Sequence, residues 1–194
     1  MRFYFSILIL LSAFSYAQDE RSFLNAPDDW RKEIIEFPLS FAPDIDLKGV
    51  EDVRFAPGWS KEGNEDFWTY AFLWYLDADP NVSKEKLEDY LKLYFDGLME
   101  LVAKGNNIDS SEVTKTTPVF YKLRSKSGKD HYNGQVQFFD AFFTKREILL
   151  NVQVLDFYCS DEQKYLTLFK LSPKDIEHDI WNSLNRITSS SKCY

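Results

Sequence analysis

Residues 67–76, FWTYAFLWYL, are apolar at every position but Thr69. Trp68, Tyr70, Phe72, Trp74 and Leu76 fall on one side of an extended chain, and Phe67, Ala71, Leu73 and Tyr75 on the other. Both sides are apolar, so the run predicts a central strand covered on both faces, and its aromatic bias favours strand over buried helix. Asp79-Pro80-Asn81-Val82-Ser83 then forms a turn. Ser83 caps a helix running to about Lys104, closed by Gly105 and Asn106. Within it Leu87, Leu91, Tyr94, Leu98 and Leu101 recur every three or four positions, with Glu85, Glu88, Lys92 and Glu100 between them. That pattern predicts an amphipathic helix lying on a sheet.

The rest of the chain reads mainly as strands. Residues 112–124 form one, bent at Pro118, and 125–129 a turn. Residues 132–143 and 147–158 flank a turn at Thr144-Lys145-Arg146, and 165–171 follow. Ser172-Pro173 opens a last helix in which Ile176, Ile180, Leu184 and Ile187 share a face. Upstream, Pro27, Asp28 and Asp29 suit the start of a short helix over 27–35. Residues 37–43 and 53–59 both carry Phe-Ala-Pro and predict the two strands of an edge hairpin. The expected class is α+β: a mostly antiparallel twisted sheet with a C-terminal four-strand meander, covered by a long central helix and a C-terminal helix. This element order is similar to that of PsbP-type extrinsic domains and of cystatin-like curved sheets wrapped on a helix. The resemblance is one of order alone, so it implies architecture and no activity.

Composition narrows the function classes. The 194 residues carry 23 Lys+Arg against 31 Asp+Glu, a net charge of −8, which opposes nucleic acid and anionic membrane surfaces as partners. The first residues, MRFYFSILILLSAFSYAQDE, pair Arg2 with an apolar stretch over 3–14 and small residues at Ser15 and Ala17. They predict a secretory signal cleaved near Ala17, a single domain over 18–194, and a secreted or periplasmic address. No later segment is apolar for long enough to span a membrane. The only two cysteines, Cys159 and Cys193, are expected to form a disulfide in an oxidising compartment.

Chemistry is sparsely encoded. His131 and His178 are the only histidines, without an H-E-x-x-H or Cys-x-x-Cys partner pattern, so no metal or other cofactor is expected. Asp44-Ile45-Asp46-Leu47-Lys48-Gly49 opens like a calcium loop. It places Lys48 where an oxygen donor belongs and Phe55 at the bidentate Glu position. Ser83-x-x-Lys86 and Ser189-x-x-Lys192 lack the companion motifs of a serine nucleophile, and the scattered glycines form no phosphate loop. Asp66, Asp77, Asp140 and Asp156 are the acids from which a carboxylate-dependent hydrolase would draw. Trp59, Trp68, Tyr70 and Trp74 offer either core packing or a platform for a ligand. A two-residue turn at Lys145-Arg146 sets Phe143 opposite Ile148, Ala141 opposite Leu150 and Phe139 opposite Val152. Phe138, Asp140, Phe142, Asn151 and Gln153 then share the mixed face that would wall a ligand site. The reading is a secreted or periplasmic, non-catalytic module binding a small molecule or protein; the alternative is a carboxylate-dependent hydrolase acting outside the cytoplasm.

Overall fold

The computed structural model describes residues 22–124 and 129–192. The expected signal segment over 1–17 and Cys193 lie outside the described residues. Seven strands form one antiparallel sheet: β2 (Arg31–Glu36), β3 (Gly49–Phe55), β4 (Tyr70–Leu76), β5 (Thr117–Leu123), β6 (Asp130–Phe139), β7 (Glu147–Cys159) and β8 (Lys164–Ser172), in the order β2-β3-β4-β8-β7-β6-β5. A second, two-stranded sheet pairs β1 (Leu24–Asn25) with β9 (Thr188–Ser189). The helices are α1 (Lys84–Gly105) and α2 (Ile180–Arg186). The α+β class, the four-strand meander β5 to β8, the long central helix and the presence of a C-terminal helix are as the pattern predicts. Among the described residues, no helix is long and apolar enough to cross a membrane.

β4 is buried on both faces because the sheet carries two cores. Tyr70, Phe72, Trp74 and Leu76 join α1 in one, through Leu87, Tyr90, Leu91, Tyr94, Phe95 and Met99. Ala71 and Leu73 join Trp181, Leu184 and Ile187 in the other. The Ser83 hydroxyl caps α1 by accepting from Lys86 N–H at 3.1 Å. The packed face of α1 runs through Phe95 and Met99, so Leu101 is 55% exposed rather than buried with Leu98's row.

Four expected elements differ. The strand expected over 53–59 is β3, Gly49–Phe55, one place in from the edge, and the last helix covers Ile180–Arg186 alone, with Ile176 in a turn ahead of it. Residues 27–30 form a turn, with Trp30 N–H donating to Pro27 O at 3.0 Å, and the chain from Arg31 is strand, not helix. A nine-residue helix is marginal in isolation, whereas six positions of β2 pair with β3 from Arg31↔Phe55 to Glu36↔Val50. Residues 37–43 are accordingly a crossing loop, not the first hairpin strand. That loop lies on α1 so closely that a Cβ on Gly97 would fall 1.9 Å from the Phe41 carbonyl oxygen.

β3 hides charge. Glu51, Asp52 and Arg54 are all buried, on alternating sides of the sheet. Arg54 pairs with Asp52 through both guanidinium nitrogens and donates to Ser22 Oγ at 2.7 Å. The free lone pairs of Asp52 Oδ2 accept from the Phe23 and Leu24 N–H groups at 2.7 and 3.1 Å. The buried pair thereby ties β1 to the main sheet. Burial outweighs the attraction of Arg54 and holds the Asp52 carboxyl above its ordinary value.

Candidate functional site

Two loops build an aromatic cleft on the α1 side of β2, β3 and β4. The first, 56–69, is closed at its base by Ala56 N–H donating to Thr69 O at 3.1 Å. Asp66 braces it by accepting from Gly58 N–H at 2.9 Å. A Cβ on Gly58 would meet that same carboxylate at 2.0 Å, so the brace requires glycine. Trp68 N–H donates to Trp59 O at 3.0 Å, and Trp68 takes a φ of 52°, in the left-handed region. The two indoles are therefore set side by side, 5.8 Å between ring centroids.

The second loop, 140–146, is folded around Asp140. One carboxylate oxygen accepts from Phe142 and Phe143 N–H at 3.0 and 3.1 Å. The other accepts from Thr144 N–H and Oγ1–H at 2.8 and 2.9 Å. This places the Phe142 ring 5.9 Å from Trp68 and the Phe143 ring 5.0 Å from Trp59. Phe41 of the 37–48 crossing and Leu98 of α1 complete the wall, and the cleft encloses about 450 Å³. Arg31 stands at the rim, its guanidinium 4.7 Å from the Phe55 ring centre and 5.5 Å from that of Trp59.

The polar inventory of this cleft is short. Trp59 Nε1 and Trp68 Nε1 are both buried without a hydrogen-bond acceptor. Buried donors normally find partners, and these two residues of the cleft wall leave two donors unused among the described residues. Glu33 is the one carboxylate among the described residues that line it, 3.8 Å from Arg31. Behind the wall lies Glu51, fully buried. Its two oxygens accept from Trp74 Nε1–H at 2.7 Å and Tyr94 OH at 3.0 Å. Burial pushes its carboxyl up to about 7, with Glu33 and Asp52 adding to the rise and the two hydrogen bonds opposing it.

The five residues expected to share a ligand wall do not. β6 and β7 pair Phe138↔Ile148, Val136↔Leu150 and Gln135↔Asn151, not Phe139↔Val152. The connection is the seven-residue loop 140–146 instead of a two-residue turn, because Asp140 captures three successive N–H groups that a tight hairpin would leave unused. The shift of five positions is odd, so it reverses the faces of β6 while leaving those of β7 as expected. Phe138 consequently packs in the α1 core, 4.4 Å from Phe95 between centroids. Asp140 and Phe142 belong to the aromatic cleft's supporting loop. Asn151 and Gln153 lie on the opposite side of the sheet. Asn151 is occupied there, accepting from Gln135 Nε2 and donating to Lys174 O.

The four candidate acids of the hydrolase alternative are likewise dispersed. Asp66 and Asp140 brace their loops, and Asp77 pairs with Lys164. Asp156 accepts from the Thr167 hydroxyl at 2.7 Å, and burial pushes it up to about 6. Of the four candidate aromatics, Trp59, Trp68 and Tyr70 line the cleft and Trp74 is spent on Glu51. Cys159 is buried at the end of β7 with Ser191 Oγ 3.0 Å from its sulfur. Nothing in the sequence singles out Glu51, and although Trp59 and Trp68 stand among its candidate aromatics, nothing local marks an indole as unpartnered. Compared with family models, curated proteins and solved structures, the chain matches none.

Proposed function

We propose that the protein is a non-catalytic binding module that takes an apolar, planar ligand carrying hydrogen-bond acceptors into the aromatic cleft. The carrying observation is the pair of buried, unpartnered indole N–H groups of Trp59 and Trp68. A ligand acceptor that reaches these donors would satisfy them, while its apolar body meets Phe55, Tyr70 and Phe142. Arg31 at the rim suits a ligand whose acceptor is anionic. Catalysis is disfavoured: Glu51, the acid nearest in character to a general acid, has both oxygens engaged and does not line the cleft.

The reading carries with it export by the N-terminal segment and a disulfide between Cys159 and Cys193; the mass of exported protein after alkylation without reduction reads both. The cleft itself is tested by titrating anilinonaphthalene sulfonate, an aromatic body with an anionic oxygen group, into the folded protein. Saturable fluorescence enhancement with concomitant quenching of tryptophan emission is expected. Phe at position 59 or 68 keeps an aromatic ring and deletes the donor; each of W59F and W68F should weaken binding about 10- to 150-fold, the worth of one hydrogen bond to a charged acceptor. Unchanged affinity in both variants, with near-UV dichroism intact, would overturn the assignment.

A further inference from the structure

The second face of the sheet holds a different kind of pocket. α2 and its apolar cluster cover β4, β8 and the Phe157–Cys159 end of β7 on that face, and a pocket lies beside them toward β6 and β5. At the border stands Lys170 of β8. It is 8% exposed, and no described residue pairs with it or accepts a hydrogen bond from it. The β-ladder sets Lys170 beside Gln153, and Gln153 beside Asn133, so one cross-strand row presents an ammonium and two amides to the same space. Asn185 of α2 faces it from above. Leu123, Leu155 and Leu168 supply an aliphatic wall, and the pocket encloses about 220 Å³.

The charges around Lys170 are few. Among the described residues that line the pocket, His131 of β6 is the other group able to carry positive charge, and none is Asp or Glu. α2 contributes Asn185 and no charged side chain to the lining. In the other direction the row passes Ala71 of β4 to Arg54 of β3, which is already paired with Asp52. Burial alone, with no carboxylate opposing it, pulls the Lys170 ammonium down to about 8. In a chain of net charge −8, carboxylates abound, yet none among the described residues is spent on this cation. An unpaired buried cation is costly to keep; the amides around it are built to complete an oxyanion's hydrogen bonds. Their side chains make no hydrogen bond to other described residues.

We propose that this pocket is a carboxylate-binding site for a short-chain organic acid, with the carboxylate on Lys170 and the amides of Asn133, Gln153 and Asn185, and the aliphatic tail against Leu155 and Leu168. The volume, about seven water molecules' worth, admits an acid of roughly ten non-hydrogen atoms or fewer. The aliphatic wall distinguishes this class from an inorganic oxyanion, which would gain nothing from it.

The test uses the intact protein labelled with carbon-13 at lysine Cε, titrated with pH in the absence and presence of butyrate. Lys170 is assigned by its loss in K170M. Butyrate is expected to raise the Lys170 midpoint by about one unit, because a bound anion favours the charged form, and by linkage to bind about tenfold tighter to the protonated protein. It should also move the side-chain amide resonances of Gln153 and Asn133. Chloride, sulfate and phosphate at matched ionic strength should shift the midpoint less. No movement with butyrate overturns the site. Equal movement with all the anions overturns the organic-acid class and leaves general screening as the explanation. Should K170M fail to fold, Q153L in the wild-type lysine background gives the same reading through loss of butyrate affinity. The site is on the opposite face from the aromatic cleft, so W59F and W68F should leave the butyrate response unchanged.

Discussion

Glu51 makes the folded state resist alkali less well than acid, and the size of the effect follows from its surroundings. A carboxyl raised from 4.5 to about 7 binds its proton more tightly in the folded than in the unfolded chain. The stability it contributes is therefore complete below pH 4.5, falls as the pH rises toward 7, and is gone above it. A shift of about two and a half units at 1.36 kcal/mol each corresponds to about 3 kcal/mol. Glu51→Gln removes the titration and keeps the geometry. The amide oxygen accepts from Trp74 Nε1–H, and the amide N–H donates to Tyr94, whose hydroxyl turns to accept. Urea unfolding followed by tryptophan emission at pH 5 and pH 8 measures the difference directly. Wild type should lose about 2–3 kcal/mol more than E51Q over that interval. Asp52 and Asp156, also raised by burial, are present in both proteins, so their share of the pH dependence cancels. Parallel pH profiles for the two proteins would refute the reasoning, since Glu51 would then titrate alike folded and unfolded.

Asp140→Ala removes the acceptor for three backbone N–H groups and the Thr144 hydroxyl; it should cost about 2–4 kcal/mol in chemical denaturation. D140A should also weaken dye binding in the cleft by loosening Phe142, and an unaltered denaturation midpoint would show that the loop is held by other means. Gly97→Ala gains up to about 1 kcal/mol of helix propensity but forces a methyl onto the Phe41 carbonyl. A net loss of about 1–3 kcal/mol is expected, and a thermal midpoint equal to or above wild type would contradict the close contact between α1 and the crossing loop.

Local pattern was enough for the elements whose signals are local. The apolar run announced β4 as a strand covered twice, because its aromatic bias weighs against the rival buried helix. Ser83, the spacing of Leu87, Leu91 and Tyr94, and Gly105 marked α1 from cap to stop. The turn residues between 123 and 165 divided the meander into its strands. Where the reading failed, the deciding partner was distant. Arg31–Glu36 is a strand because β3 offers it a ladder, a gain invisible in nine residues that begin like a helix. Glu51, Asp52 and Arg54 are residue types that usually stay in water, and they become buried only when α1 lies on one face of β3 and the β1 segment on the other. Register between β6 and β7 turned on whether Asp140 ended a strand or organised a loop, and a carboxylate's choice of N–H groups depends on the folded backbone around it. Both pockets have the same origin. Trp59 and Trp68 become neighbours through a loop that folds back, and Lys170 meets its amides across three strands, so their chemistry exists only after the sheet has formed.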